Sequence, residues 1–271
     1  MHKKVPTVAV LGHKASGKTT VIEKIVRELA NNGLKVATAK HITVKGFSID
    51  TEGKNTWRHS AAGANPVVSV SDVETAILIK NGTPSFSLDL LFEIIREVDV
   101  VFLEGFSSLV LRDEHVAKIF CVDNLQEYNY YLDHVKGKVL AICSHQPFNE
   151  HILKIPEDSS VYVNEAIKYV EKQIKFKKIL SGLPGLDCAK CRYTTCEELA
   201  DAILAEEGSF MDCLPLKIKQ KLKTKITVNT VDVPIQPFVS EFVRKSLLGM
   251  ISSLKGVSVN GEEEIHIVVS S

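Results

Sequence analysis

Apolar runs alternate with helix-spaced apolar residues through about residue 170 of the chain. Short runs rich in β-branched residues are typical of buried strands, and the clearest lie at 7–11 and 99–105. Further strands are predicted at 34–39, 67–70, 117–122 and 139–143, with a strand or short helix at 73–79. Helical spacing predicts helices at 21–29, 54–62, 88–96 and 166–178. Such alternation predicts an α/β fold with a mostly parallel sheet and helices on both faces.

The turn between the first strand and the first helix carries the pattern Gly-x-x-x-x-Gly-Lys-Thr at residues 12–19. This pattern is the phosphate-binding P-loop, which requires a strand before it and a helix after it. Gly12 and Gly17 permit backbone angles that turn successive N–H groups toward one phosphate. Lys18 is predicted to reach the β- and γ-phosphates, and Thr19 to hold Mg²⁺ through its hydroxyl. A glycine-rich turn without a ligand is the alternative.

The P-loop predicts the fold class and the first set of site residues. We predict an α/β P-loop NTPase with a mostly parallel sheet. The predicted nucleotide-binding residues are Gly12, His13, Lys14, Ala15, Ser16, Gly17, Lys18, Thr19 and Thr20.

An acidic residue follows the most continuous apolar strand. The segment 99–105 is apolar from 100 to 103 and ends on Glu104 and Gly105. P-loop proteins hold Mg²⁺ with an acid at this edge of the sheet, so Glu104 is predicted to contact magnesium together with Thr19. A surface acid at a strand end is the alternative. No nucleophile–base pair stands out beside the loop, and no catalytic residue is predicted.

Four of the six cysteines fall in one short segment. Cys188, Cys191 and Cys196 have the spacing C-x₂-C-x₄-C, and Cys213 follows farther on. Thiolates at such a spacing can bind one cluster, because iron–sulfur centres take four cysteine ligands. Four thiolates also make a structural zinc site, which stays open as the alternative. The other two cysteines, at 121 and 143, lie inside predicted strands and are interpreted as small buried apolar residues.

The overall charge limits the classes of partner. Lys and Arg total 33, Asp and Glu total 33, and the formal charge is zero. This balance provides no global attraction to nucleic acid or to an anionic membrane. The sequence shows no apolar run long enough to span a bilayer and no signal peptide in residues 1–6, so we expect a cytoplasmic protein.

The motifs of the first half occur in a distinctive order. The P-loop is followed by Lys40-His41, by the run Asp-Thr-Glu-Gly-Lys at 50–54, by Ala-Gly-Ala at 62–64 and by Leu-Glu-Gly-Phe at 103–106. Over roughly residues 5–170 the chain resembles the MobB family, the molybdopterin-guanine dinucleotide biosynthesis adaptor proteins. This resemblance rests mainly on the Asp-x-x-Gly-Lys stretch followed by Ala-Gly-Ala, because the P-loop alone is generic.

The resemblance implies a GTP-binding protein, usually a homodimer, with weak GTP hydrolysis. It implies that the protein helps a molybdenum cofactor guanylyltransferase attach GMP to molybdopterin, with a molybdo- or tungsto-enzyme as a further partner. Asp50 corresponds to the family's acidic residue after the second strand, which implies a contact to Mg²⁺ or its water. A helix-capping role for Asp50 is the alternative. Guanine preference comes from the resemblance alone, since the Asn-Lys-x-Asp motif is absent.

The cysteine segment has a resemblance of its own. From Leu183 to Pro215 it resembles the small four-iron, four-sulfur domain of corrinoid iron–sulfur proteins, although Arg192 and Thr194 depart from that pattern. A [4Fe-4S] cluster is therefore expected, in either a structural or a redox role. A second function stays open: a redox-switched, nucleotide-dependent maturation factor or metallochaperone for an iron–sulfur or corrinoid enzyme.

These patterns predict three domains. A P-loop nucleotide-binding domain covers residues 1–172, and an iron–sulfur cluster domain covers 180–216. Residues 217–271 form a small α+β tail, with strands at 225–231 and 265–269 and a helix at 237–254.

Overall fold

The chain divides into two units, Met1–Ile174 and Lys175–Ser271, and each is described by itself. The computed structural model describes residues 5–80, 87–95, 97–221, 224–228, 231–233 and 235–256. The predicted strand at 265–269 lies outside these residues. No helix in the described ranges is long and apolar enough to cross a membrane.

A parallel sheet of six strands forms the centre of the first unit. The strands of this unit are β1 (Thr7–Gly12), β2 (Val36–Lys40), β3 (Val67–Val70), β4 (Thr75–Leu78), β5 (Val100–Glu104), β6 (Ala117–Cys121), β7 (Val139–Ser144) and β8 (Leu153–Lys154). The order in the sheet is β2-β5-β1-β6-β7-β8, with every neighbouring pair parallel. The carboxyl ends of β2, β5 and β1 therefore lie side by side.

Helices pack on both faces of this sheet, as predicted. They are α1 (Lys18–Asn31), α2 (Asn55–Ala61), α3 (Leu88–Ile94), α4 (Ser107–Val110), α5 (Leu125–His134) and α6 (Ser159–Gly182). Alternate residues of β1 enter opposite cores, because successive strand side chains point to opposite faces. Val8 and Val10 pack with apolar residues of α1 and α6, whereas Ala9 and Leu11 pack with residues of α3, α4 and α5.

Two details of the first unit differ from the sequence prediction. β3 and β4 are strands, but they form a separate antiparallel hairpin instead of joining the parallel sheet. The helix predicted at 166–178 is longer in the structure, where α6 begins at Ser159 and ends at Gly182. It therefore includes residues 173–179, which lie between the first two predicted domains. The three predicted domain boundaries stay a prediction.

The second unit contains the cysteine segment and the tail. Its elements are α7 (Cys196–Leu204), a 3₁₀ turn at Phe210–Asp212, α8 (Leu214–Lys221), β9 (Ile226–Val228), β10 (Val231–Val233) and α9 (Pro237–Ser252). Leu183, Leu199, Ala200 and Cys213 form its buried core. β9 and β10 pair as an antiparallel hairpin where the sequence predicted one strand at 225–231, and the helix of the tail is present.

Candidate functional site

The P-loop joins β1 to α1 at the carboxyl edge of the parallel sheet. Among the contacts of the described residues, the amide N–H groups of Lys14, Ala15 and Gly17 donate to no protein acceptor. The first turn of α1 adds further N–H groups without intrahelical partners, and partial positive charge with them. These donors fit an anionic phosphate, and Thr20 lies half-buried in the same turn.

Two residues give the loop its shape. Ser16 is fully buried, and its N–H and Oγ lie 3.4 and 2.9 Å from the carbonyl oxygen of His13. Gly17 has φ +92°, and a Cβ there would lie 2.8 Å from Cδ1 of Ile155 and 2.9 Å from Nε2 of His145. A Cβ that close would force neighbouring atoms to move. Ser16 thus shapes the loop from inside, and the positive φ of the second P-loop glycine is strained for any residue with a side chain.

Lys18 lies folded across the loop. Its ammonium group donates to the carbonyl oxygen of His13. Burial lowers the pKa of Lys18, and the charge of Lys40 adds to this effect, while Cys121 and Glu104 oppose it. The predicted phosphate lysine therefore lies near both the strand-end acid and a second lysine.

Thr19 and Glu104, which are both predicted to contact magnesium, are joined by a hydrogen bond. The Thr19 hydroxyl donates to Oε1 of Glu104 over 3.0 Å. The same carboxylate oxygen lies 2.7 Å from Nζ of Lys40, whose side chain is 55% exposed, while that of Glu104 is 13% exposed. Lys40 was noticed in the sequence only as part of a motif. Its contact follows from the register of β2 and β5, in which Lys40 and Glu104 are direct partners.

Asp50 lies in a different set of contacts. Its Oδ1 accepts a hydrogen bond of 2.8 Å from the Thr56 hydroxyl, and its Oδ2 lies 3.6 Å from Nζ of Lys80. The carboxylate is 4% exposed. Among the described contacts, none joins Asp50 to Thr19 or Glu104. Its role at magnesium stays a prediction, and its helix contact is made to a side-chain hydroxyl of α2 and not to a backbone N–H.

His13 has an acidic partner that sequence reasoning missed. Its imidazole contacts Oε1 of Glu127, a residue that is only 8% exposed in the first turn of α5. The other oxygen of Glu127 accepts a hydrogen bond of 2.8 Å from the Asp123 amide. The sequence carries one signal for the start of this helix, an N-cap residue. Asn124 accepts a hydrogen bond from the amide of Glu127, three residues later. This pairing ties the second P-loop residue to a neighbouring helix.

All four cysteines of the predicted metal site line one pocket in the second unit. The pocket has an apolar wall of proline, leucine and tyrosine side chains. Cys213 is buried, Cys191 and Cys196 are half-buried, and Cys188 is exposed. Burial raises the pKa of the Cys213 thiol, and the other three thiols raise it further because they are close to it.

The chain around the pocket is arranged to hold this loop. Cys196 is the first residue of α7, and its amide donates to Oδ1 of Asp187 over 2.7 Å. Asp187 and Ala189 have φ values of +43° and +50°, so the backbone turns sharply around Cys188. No three His, Cys, Asp or Glu side chains in the described ranges are grouped tightly enough for a single metal ion.

Comparison with protein families decides the identity of the first unit. The family model for molybdopterin guanine dinucleotide synthesis protein B, MobB, matches residues 7–145. The chain belongs to the MobB family. A second model, described provisionally as an Fe-S cluster, matches residues 183–215, which include all four pocket cysteines. The two family models thus match the two segments in which the motifs resemble known families, the P-loop segment and the cysteine segment.

Individual MobB relatives cover different parts of the chain. A Methanocaldococcus jannaschii protein, provisionally named a molybdopterin-guanine dinucleotide biosynthesis adapter protein, is 28% identical over 265 residues, 97% of either chain. The molybdopterin-guanine dinucleotide biosynthesis adapter protein of Haemophilus influenzae is 32% identical over 149 residues, 54% of this chain and 79% of its own. The crystal structure of Bacillus subtilis MobB shows 25% identity and a TM-score of 0.47, covering 60% of this chain and 97% of its own.

Proposed function

We propose that this chain is a magnesium-dependent GTP-binding adapter in molybdopterin-guanine dinucleotide biosynthesis, with weak GTP hydrolysis and a bound iron–sulfur cluster. The contact between Thr19 and Glu104 beside the P-loop carries the nucleotide part of this proposal, since two hard oxygen groups lie 3.0 Å apart there. Mg²⁺ prefers such oxygen ligands and usually binds one or two protein groups together with substrate phosphates.

The groups in and beside the loop then have the following roles in binding the nucleotide. The amides of the P-loop and of the first turn of α1 bind phosphate oxygens, and Lys18 turns from His13 to the β- and γ-phosphates. Thr19 and Glu104 hold magnesium, with Asp50 as the further candidate. Magnesium, when bound, neutralises charge on the phosphates. A Glu104 carboxylate that holds magnesium would be a poor general base, which supports slow hydrolysis.

The family match supports the guanine base and the partners. The matched family is named for molybdopterin guanine dinucleotide synthesis. A guanylyltransferase that builds this dinucleotide, and molybdopterin itself, are accordingly the proposed partners, with a molybdo- or tungsto-enzyme downstream.

The magnesium pair has a direct test. Replacing Glu104 by Gln is expected to weaken GTP binding in Mg²⁺ about 10- to 100-fold, because the metal loses a charged ligand. In EDTA the variant and the wild type are expected to bind GTP equally, as measured by titration calorimetry. Glu114→Gln is the matched control, since among the described contacts this carboxylate forms an exposed ion pair with Lys136. Wild-type protein that binds ATP tightly and GTP not at all would overturn the guanine assignment.

We extend the proposal to a [4Fe-4S] cluster held by the four pocket cysteines. Their number equals the ligand count of such a cluster, and the apolar wall would limit access of water to it. Bound iron would join the loop of Cys188 and Cys191, the start of α7 and the turn at Cys213, which otherwise share only a small core. A structural role for the cluster is thus supported by the packing.

The β3–β4 hairpin supports the homodimer. Val68, Val70 and Ile77 are 55%, 75% and 53% exposed, and Val68 lies directly opposite Ile77 in the register. A two-stranded hairpin is marginally stable by itself, and its apolar face gains by burial against a partner. We propose that this face pairs with the same face of a second copy.

Replacing Val68 by Asp is expected to convert the dimer to a monomer, because the charge would be buried at the contact. Light scattering should then give a mass near twice 29.9 kDa for the wild type and near 29.9 kDa for the variant. Val161→Asp introduces the same charge at an exposed apolar position of α6 and should leave the dimer intact. A monomeric wild type, or a dimeric Val68→Asp variant, would contradict this interface.

A further inference from the structure

Lys40 occupies an unusual position for a surface lysine. It is the last residue of β2, and its ammonium group lies 2.7 Å from the Oε1 atom that also accepts the Thr19 hydroxyl. Three groups therefore meet at one carboxylate oxygen of Glu104. Under the proposed function this carboxylate also serves magnesium, so Lys40 sits at the cation side of the nucleotide site.

Lys40 cannot keep this contact when Glu104 turns to a divalent cation. Two positive groups on one oxygen repel each other strongly at such short range. The backbone of Lys40 is anchored, because β2 pairs with β5 to its end and the next amide, of His41, donates to the Glu104 carbonyl over 3.0 Å. The side chain is long, flexible and more than half exposed, so only the ammonium group needs to move.

The negative charge that can replace Glu104 as the partner of Lys40 is that of the phosphates of the bound nucleotide. β5 separates β2 from β1, and neighbouring strands are about 4.8 Å apart, so Lys40 starts roughly 10 Å from the strand that feeds the P-loop. Lys40 is also close enough to Lys18 to contribute to its lowered pKa. Two ammonium groups thus face the place where the end of a bound polyphosphate would lie.

We propose that Lys40 is a specificity-determining residue that contacts the terminal phosphate of a nucleoside triphosphate after leaving Glu104. This inference rests on the proposed nucleotide site and adds a discrimination to it. The γ-phosphate of a triphosphate gives Lys40 a negatively charged partner in place of Glu104. A diphosphate has no γ-phosphate, and its last phosphate lies farther from Lys40. Lys40 therefore favours the triphosphate-bound state of the adapter over the diphosphate-bound state.

The test compares triphosphate and diphosphate affinities in the full chain. We expect Lys40→Met to weaken binding of a non-hydrolysable GTP analogue in Mg²⁺ about 10- to 100-fold, and GDP less than about 3-fold. Lys40→Arg keeps the charge and should retain most of the preference. Lys35→Met removes an exposed charge just before the other end of β2 and should change neither affinity. Calorimetry gives all values, and circular dichroism checks that each variant folds.

The other outcomes separate the role of Lys40 from the existence of the nucleotide site. Equal weakening of both nucleotides, or no change in either, would overturn the role of Lys40 and leave the nucleotide site intact. Wild-type protein that binds neither guanine nor adenine nucleotides would overturn the proposed function and this inference together. If ATP binds instead of GTP, the same comparison with an ATP analogue and ADP tests whether Lys40 favours the triphosphate.

Discussion

Replacing Gly12 by alanine is expected to abolish nucleotide binding, with a loss of at least about 100-fold in GTP affinity. Gly12 has φ +155°, and a Cβ there would lie 2.2 Å from the carbonyl oxygen of Cys121 and 2.6 Å from Oγ of Ser16. The first of these atoms belongs to the backbone of β6, which pairs with β1 in direct register at this point. The Cys121 carbonyl is fixed in the sheet backbone and cannot swing aside, so the loop itself must shift.

The same substitution should lower the free energy of unfolding by about 3 kcal/mol, the upper range for inserting a methyl group into a packed site. Gly33→Ala is the matched control at the other end of α1. Gly33 has φ +81°, but no atom lies within 4 Å of the added Cβ. It should therefore lose about 1 kcal/mol from backbone strain alone and keep GTP affinity. Calorimetry and urea unfolding measure the two quantities, and a Gly12→Ala variant that binds GTP normally would refute the P-loop assignment.

Replacing Cys213 by serine is expected to remove the iron–sulfur cluster and to destabilise the second unit. Cys213 is 4% exposed, lies in the core of that unit and lines the pocket with the other three cysteines. Anaerobically purified wild type should contain about four iron and four sulfide per chain with a broad brown absorption, and the variant should contain almost none. Metal binding free energy contributes to folding free energy, so the variant should lose a thermal transition.

The P-loop unit supplies the control for this experiment. Cys143 is buried in the sheet as predicted, in register with Cys121, and burial raises its pKa to about 12. Cys143→Ala should therefore keep the full iron content. GTP affinity of Cys213→Ser should stay within about 2-fold of wild type, because the P-loop unit has its own core. A colourless wild type with one zinc per chain would contradict the cluster.

Much of the first unit could be predicted because its signals are local. The strand, loop and helix around the P-loop appear within a residue or a few of their predicted bounds, and 67–70 matches β3 in full. The sequence predicts a strand or a short helix at 73–79, and the structure has the strand β4 there. The sequence does not show that β3 and β4 pair with each other as a separate hairpin. Alternation shows that a segment is extended, but it does not say which strand it pairs with.

Some helices escaped prediction for a different reason. α5 is ten residues long and has Tyr131 and Glu127 among its buried positions, so its apolar stripe is weak. Its clearest mark was the cap formed by Asn124, which a periodicity argument does not detect. α4 is only four residues long, too short to show a helical period.

Spacing along the chain was sufficient to predict the P-loop between a strand and a helix, the acid at the end of β5 and the C-x₂-C-x₄-C motif, because each lies within one short segment or at one strand end. The order of the strands brought Lys40 to Glu104, and packing placed Asp50 with Thr56 and Lys80. Folding also gathered Cys213 with the three cysteines before it around one pocket. Such contacts depend on which distant segments become neighbours, and that choice reflects burial and register across the whole fold.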